Sequence, residues 1–131
     1  MDNSQIAKRL LLAWTSGDFE TTRAVLADDV TFTGPLGLTH GADKYVEGVR
    51  GFSHQIAKAE VSLAFGEGEN VCLIYDLVTK HGTRLPTAAH YRVVDGKVAA
   101  VRAYFDPRPL DATAKAPDPK AERPAASSAP R

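Results

Sequence analysis

One stretch, Ala88 to Phe105, constrains the fold more than any other: two runs of apolar and β-forming residues flank Asp95-Gly96. Asp-Gly between such runs signals a hairpin, because both residues tolerate the positive φ that a tight turn requires. Loop length then decides which side chains share a face. A two-residue loop would put Arg102 and Tyr104 beside Ala89, Tyr91 and Val93. A three-residue loop, Val94-Asp95-Gly96, shifts the register by one residue. Ala89, Tyr91, Val93, Ala99, Val101, Ala103 and Phe105 then share an apolar face. His90, Arg92, Val98, Ala100, Arg102 and Tyr104 share a mixed one. The three-residue loop segregates charge from the apolar face and is the expected arrangement.

Upstream, the periodicity predicts three helices. Residues 4 to 16 carry Ile6, Leu10, Ala13 and Trp14 on one stripe, widened by Ala7, Leu11 and Leu12. Asn3 or Ser4 can cap the start, and Gly17 ends the helix. Asp18 caps a second helix from Phe19 to about Ala27. Val30 to Thr33 alternates as a short strand, and Gly34-Pro35-Leu36-Gly37 is a turn. A third helix runs from Ala42 to about Ala57 with Tyr45, Val46, Val49, Phe52 and Ile56 inward; Gly48 and Gly51 imply close packing or bending. From Ala59 the chain reads as strands, and Val71 to Lys80 is apolar on both faces, as in an interior strand. Helices followed by strands predict an α+β class, a curved antiparallel or mixed sheet with three N-terminal helices on its concave face. Small residues, Gly34, Ala89, Ala99 and Ala103, leave room under those helices for a pocket.

The chain of 131 residues suffices for one domain. Six of its eight prolines lie in 107–131. The domain is therefore expected over 1–110, with a disordered Pro/Ala/Ser-rich tail over 111–131. Zero formal net charge argues against a nucleic-acid partner, and the single Cys72 excludes an internal disulfide. Met1-Asp2-Asn3-Ser4-Gln5 lacks a signal-peptide start, and no apolar run reaches membrane-span length, so a cytoplasmic protein without a membrane partner is expected. The four histidines have no ligand-like spacing, so neither metal nor cofactor is implied. His40 reads as a loop residue bonding a turn, His54 as a helix-terminus residue, His81 as a turn residue, and His90 as an outer-face residue. Gly34-Pro35-Leu36-Gly37 lacks the Lys and Ser/Thr of a phosphate loop.

The order of elements, with Ser16-Gly17-Asp18-Phe19-Glu20, Leu26-Ala27-Asp28-Asp29-Val30-Thr31-Phe32, Gly34-Pro35-Leu36-Gly37, His40-Gly41, Asp95-Gly96-Lys97-Val98 and Arg102-Ala103-Tyr104-Phe105-Asp106-Pro107, resembles the nuclear transport factor 2-like superfamily. It is most similar to the SnoaL-like branch, which includes polyketide cyclases, with ketosteroid isomerase a near cousin. The resemblance implies a cone with an apolar internal pocket, dimerising through the outer sheet face. It also implies where catalytic groups would stand. The isomerase-like positions match Leu10, Gly34 and Ala89; the epoxide-hydrolase-like positions match Cys72, Ile74 and Ala103. None of these carries an acid or base, which disfavours those activities.

The resemblance further implies that Cys72, Ile74, Asp76 and Val78 face inward. Asp76 is then the candidate catalytic acid, because a carboxylate near an apolar pocket has a raised pKa. The alternative frame points Asp76 outward, paired with Arg92 or Arg102. The expected pocket is lined by Leu10, Trp14, Phe32, Tyr45, Val49, Ile74, Ala89, Tyr91, Ala103 and Phe105. The expected ligand is a small apolar or polycyclic, polyketide-like molecule, handled by acid–base isomerisation or cyclisation. The alternative is a non-catalytic ligand-binding or accessory dimerisation module. A homodimer is expected through Val71, Leu73, Tyr75 and Leu77 beside His90, Arg92, Arg102 and Tyr104.

Overall fold

The computed structural model describes residues 1–110, so the expected tail lies outside the described residues. The elements run α1 (Asn3–Thr15), α2 (Phe19–Ala24), β1 (Leu26–Gly34), β2 (Gly37–His40), α3 (Ala42–Ser53), β3 (Ile56–Glu67), β4 (Asn70–Thr79), β5 (Arg84–Val94) and β6 (Lys97–Tyr104). The six strands form one sheet in the order β2-β1-β6-β5-β4-β3. Among the described strands, β1 and β6 pair in parallel and the other pairs are antiparallel. The helices pack on one side of this mixed sheet.

Local chemistry sets the helix ends. α1 starts one residue earlier than the sequence suggested: Asp2 is the cap, accepting from the Gln5 amide while the Gln5 side chain accepts from the Asp2 amide. This reciprocal box satisfies two amides that the first turn leaves unpaired. Asp18 caps α2 through the Thr21 amide. α1 buries Ile6, Ala7, Leu10, Leu11 and Trp14, whereas Leu12 is exposed. α3 is shorter than its periodicity implied, and a Cβ at Gly48 or Gly51 would meet nothing within 4 Å. Neither glycine is there for close packing. β2 was not legible in the sequence, because Leu38 and Thr39 follow a glycine–proline turn too closely to form a run of their own.

The hairpin corrects the expected register. Asp95 (φ 52°) and Gly96 (φ 78°) both take positive φ, and Val94 pairs with Lys97, so the loop has two residues. The extra residue sits in the strand instead: Arg92 pairs with Ala100 but Val93 with Val98, leaving Ala99 as a bulge. Val98 is therefore buried with Val93, against the three-residue expectation. Beyond the bulge the frame is restored, and Val101 and Ala103 face inward opposite Tyr91 and Ala89.

β4 inverts the expected frame. Val71, Leu73, Tyr75, Leu77 and Thr79 are buried against the helices. Cys72, Ile74, Asp76 and Val78 alternate with them on the outer face. The dimer face expected on β4 is corrected for the same reason: its residues are core. A strand apolar on both faces has no period-two amplitude, so only pairing with its neighbours can fix the frame.

Candidate functional site

Between α3, the β1–β2 turn and the start of the C-terminal segment lies a cavity of about 300 Å³. Phe32 of β1, Tyr45, Val49 and Phe52 of α3, and Phe105 form its walls, with Gly48 beside them. Leu36 and Leu38, 62% and 76% exposed, stand at its mouth with Pro35, Gly37 and Thr39. Pairing of Phe32 with Thr39 and of Gly34 with Gly37 brings the turn over the end of the sheet. The helical stripe Tyr45-Val49-Phe52 covers it from above, because residues three and four apart lie on one helix face.

The walls are braced by ring contacts. Tyr45 meets Phe32 edge-on, 5.7 Å between centroids at 81°. Phe52 leans on Trp14 of α1 at 5.7 Å. At the opposite side of α3, the Arg50 guanidinium stands 4.5 Å over the Phe19 ring. Arg23 of α2 reaches Asp28 at 2.8 Å and Asp43 at 3.5 Å, tying α2 to β1 and to the first turn of α3.

Of the residues expected to line the pocket, Phe32, Tyr45, Val49 and Phe105 do so. Leu10, Trp14, Ala89, Tyr91 and Ala103 instead belong to the packed interior. Ile74 lies on the outer face of the sheet. Asp76 is there too: Arg84 donates to its carboxylate at 3.1 Å and to Glu60 at 2.7 Å. The inward orientation of Asp76 is thus corrected, and its partner is Arg84 rather than Arg92 or Arg102. Sequence reading missed Pro35, Leu36, Gly37, Leu38, Thr39, Gly48 and Phe52. The signal available was Leu36 and Leu38, two apolar residues bracketing a glycine in a turn.

Among the described residues, no carboxylate, imidazole or ammonium group lines the cavity, and the ionisable residue in its lining is Tyr45. Burial raises the Tyr45 pKa far above that of a free phenol, with nearby Tyr75 adding to the effect. A side-chain hydrogen bond links Tyr91 and Tyr75. Burial pushes Tyr75 up to about 12 and Tyr91 well above its ordinary value. All three phenols are therefore neutral donors at physiological pH, because a low-dielectric interior disfavours phenolate. The Thr39 hydroxyl is buried without a hydrogen-bond partner. The site can hold an apolar molecule by shape and contact, and offers no base of ordinary strength.

Fold and cavity together define the class: a nuclear transport factor 2-like α+β domain with helices over one face of its sheet. The SnoaL-like domain model matches residues 7–101, and the chain belongs to that family. A solved structure from Kribbella flavida is 30% identical, with a TM-score of 0.81, covering 88% of this chain and 95% of that one. A nuclear transport factor 2-like protein of unknown function from Cytophaga hutchinsonii is 28% identical, with a TM-score of 0.74 over 85% of this chain and 96% of that one. A protein described by likeness as a SnoaL-like polyketide cyclase, from Jannaschia, shares the fold at 17% identity and a TM-score of 0.74, covering 88% and 93%. No curated protein matches the chain. Among the described residues, no helix is long and apolar enough to cross a membrane.

Proposed function

We propose that this SnoaL-like protein binds a small, uncharged, mostly apolar molecule in the cavity between α3 and the β1–β2 turn. The observation that carries this reading is the lining itself: four aromatic rings and several aliphatic groups around about 300 Å³, with no charged side chain among the described residues. Pockets of that size and character are the usual form of small-molecule sites. Binding without acid–base turnover is favoured over isomerase or cyclase chemistry, because general acid–base catalysis needs a proton-transferring group within hydrogen-bond reach of the substrate. Tyr45, held neutral by burial, supplies a donor for orientation and no base.

A panel of neutral apolar compounds tested by thermal shift checks this reading, since a ligand that binds only the folded state raises its melting temperature. Gly48→Trp is the control. Gly48 borders the cavity and its Cβ would meet no neighbour within 4 Å, so an indole there can be accommodated and is placed to obstruct the cavity. Wild type should be stabilised and Gly48→Trp should not. A panel that shifts neither protein would overturn the proposal.

The protein acts, in this proposal, as a homodimer through the outer sheet face. Leu63, Phe65 and Tyr104 are 57–58% exposed there. Strand pairing sets Leu63, Ile74, Ala88 and Tyr104 in one row, and Phe65, Cys72, His90 and Arg102 in the next. Aromatic, aliphatic and Arg side chains in one patch suit an interface. Phe65→Lys should convert a dimer to a monomer in sedimentation; a monomeric wild type at micromolar concentration sinks the idea.

A further inference from the structure

Phe32 and Gly34 lie two residues apart on the inward face of β1. The Phe32 ring is drawn back along the strand over Gly34. A Cβ built at Gly34 would stand 2.8 Å from Cζ and 3.1 Å from Cε2 of that ring, and 3.7 Å from the Ala103 carbonyl oxygen. Carbon atoms pack favourably at roughly 3.5–4.0 Å, so this ring position requires glycine. The same ring is a wall of the cavity and meets the edge of Tyr45. It is therefore held between a missing side chain and Tyr45, with the cavity as its open side.

We infer that the cavity selects an uncharged, flat molecule of about two fused rings, and that Gly34 sets this selectivity by leaving the Phe32 ring room to lie back along the strand. The inference rests on the binding reading above and names its ligand class. Size follows from volume. A dry apolar cavity of about 150 Å³ holds benzene. The present cavity, about 300 Å³, is twice that. Flatness follows from Phe32, Tyr45, Phe52 and Phe105, whose faces and edges favour stacked and edge-on partners. Neutrality follows from the lining, where a buried charge would have no counter-charge. A side chain at Gly34 meets the free end of the Phe32 ring rather than backbone, so the ring yields into the cavity while the strand stays in place.

Titration calorimetry on the full chain tests this with phenol, 2-naphthol, testosterone and 2-naphthoate. 2-Naphthol should bind about tenfold or more tightly than the one-ring, four-ring and charged probes. Gly34→Ala should weaken 2-naphthol about tenfold in wild type, whereas in the Phe32→Leu background the same substitution should cost little further, because the smaller side chain vacates the contested space. Phe32→Leu alone, which introduces no clash at Gly34, should move the preference toward testosterone and decides the matter should Gly34→Ala not fold. Neutral probes that bind without size preference, or a 2-naphthol affinity unchanged in both Gly34→Ala and Phe32→Leu, overturn the inference and leave the binding reading standing. Absence of binding by every neutral probe removes the binding reading itself.

Discussion

Asp76 of β4 and Arg84 of β5, two residues out of register with each other across the ladder, are joined by a 3.1 Å ion pair on the outer face of the sheet, with Glu60 bound to the same guanidinium nitrogen at 2.7 Å. The carboxylate that interrupts the apolar β4 run is thus a surface partner of an arginine. Exposed pairs of this kind contribute little, because water screens them. Asp76→Asn should leave ligand binding unchanged and the melting midpoint nearly so. A loss of binding in calorimetry would return Asp76 to the site.

Glu60 makes the acid side of this cluster measurable. Hydrogen bonds from Arg84 and Lys58 lower its pKa from 4.5 to about 2. A lowered folded-state pKa contributes stability that is present above the unfolded value and lost as pH falls through the folded one. Solvent screening keeps this contribution small; what remains of it should be lost between about pH 4.5 and 2, and Glu60→Gln should remove that small slope from the stability–pH curve. Acid melts of the two proteins give the comparison.

The buried tyrosines predict the opposite flank. Tyr75 is raised from 10.0 to about 12 by burial, and Tyr45 and Tyr91 are raised further. Their contribution is complete below the unfolded pKa and is lost as pH rises above it. Stability should fall steeply from about pH 10 upward, and Tyr75→Phe should soften the fall. Ultraviolet titration of tyrosinate should find these phenols ionising together with unfolding, not before it.

Leu10 separates core from cavity. It is fully buried, and it is absent from the lining of the cavity. Leu10→Ala should cost about 2–5 kcal/mol in urea unfolding, the range for deleting a buried leucine. Among molecules still folded, ligand affinity should be retained.

The turn predicts a sharper local effect. Gly96 sits at φ 78° in the two-residue loop. A β-branched residue there should cost about 1–2 kcal/mol, since left-handed backbone crowds Cβ against the following carbonyl. Gly96→Val should show this in denaturant, whereas Asp95→Asn should be near neutral, because asparagine tolerates the same conformation.

The sequence by itself determined the three helices, the Asp95-Gly96 hairpin and the family likeness. Those signals are local: Asp18 caps its own helix, Trp14 and Leu10 repeat at helical spacing, and Asp-Gly favours positive φ wherever it occurs. Four cavity residues, Phe32, Tyr45, Val49 and Phe105, were also legible, as inward apolar positions on recognisable elements. Three features were decided only by tertiary structure. The frame of β4 came from its pairing with β3 and β5, since a strand apolar on both faces is silent about its own orientation, and that frame moved Asp76 and Ile74 out of the site. The bulge at Ala99 restored by one strand residue the register that a longer turn would have set, a trade that alternation alone cannot distinguish. The cavity mouth came from β2 folding back on β1, so that Leu36, Leu38 and Thr39 gained meaning only when the turn closed over α3. Local backbone preference is written residue by residue, whereas the facing of a two-sided strand depends on neighbours distant in the chain.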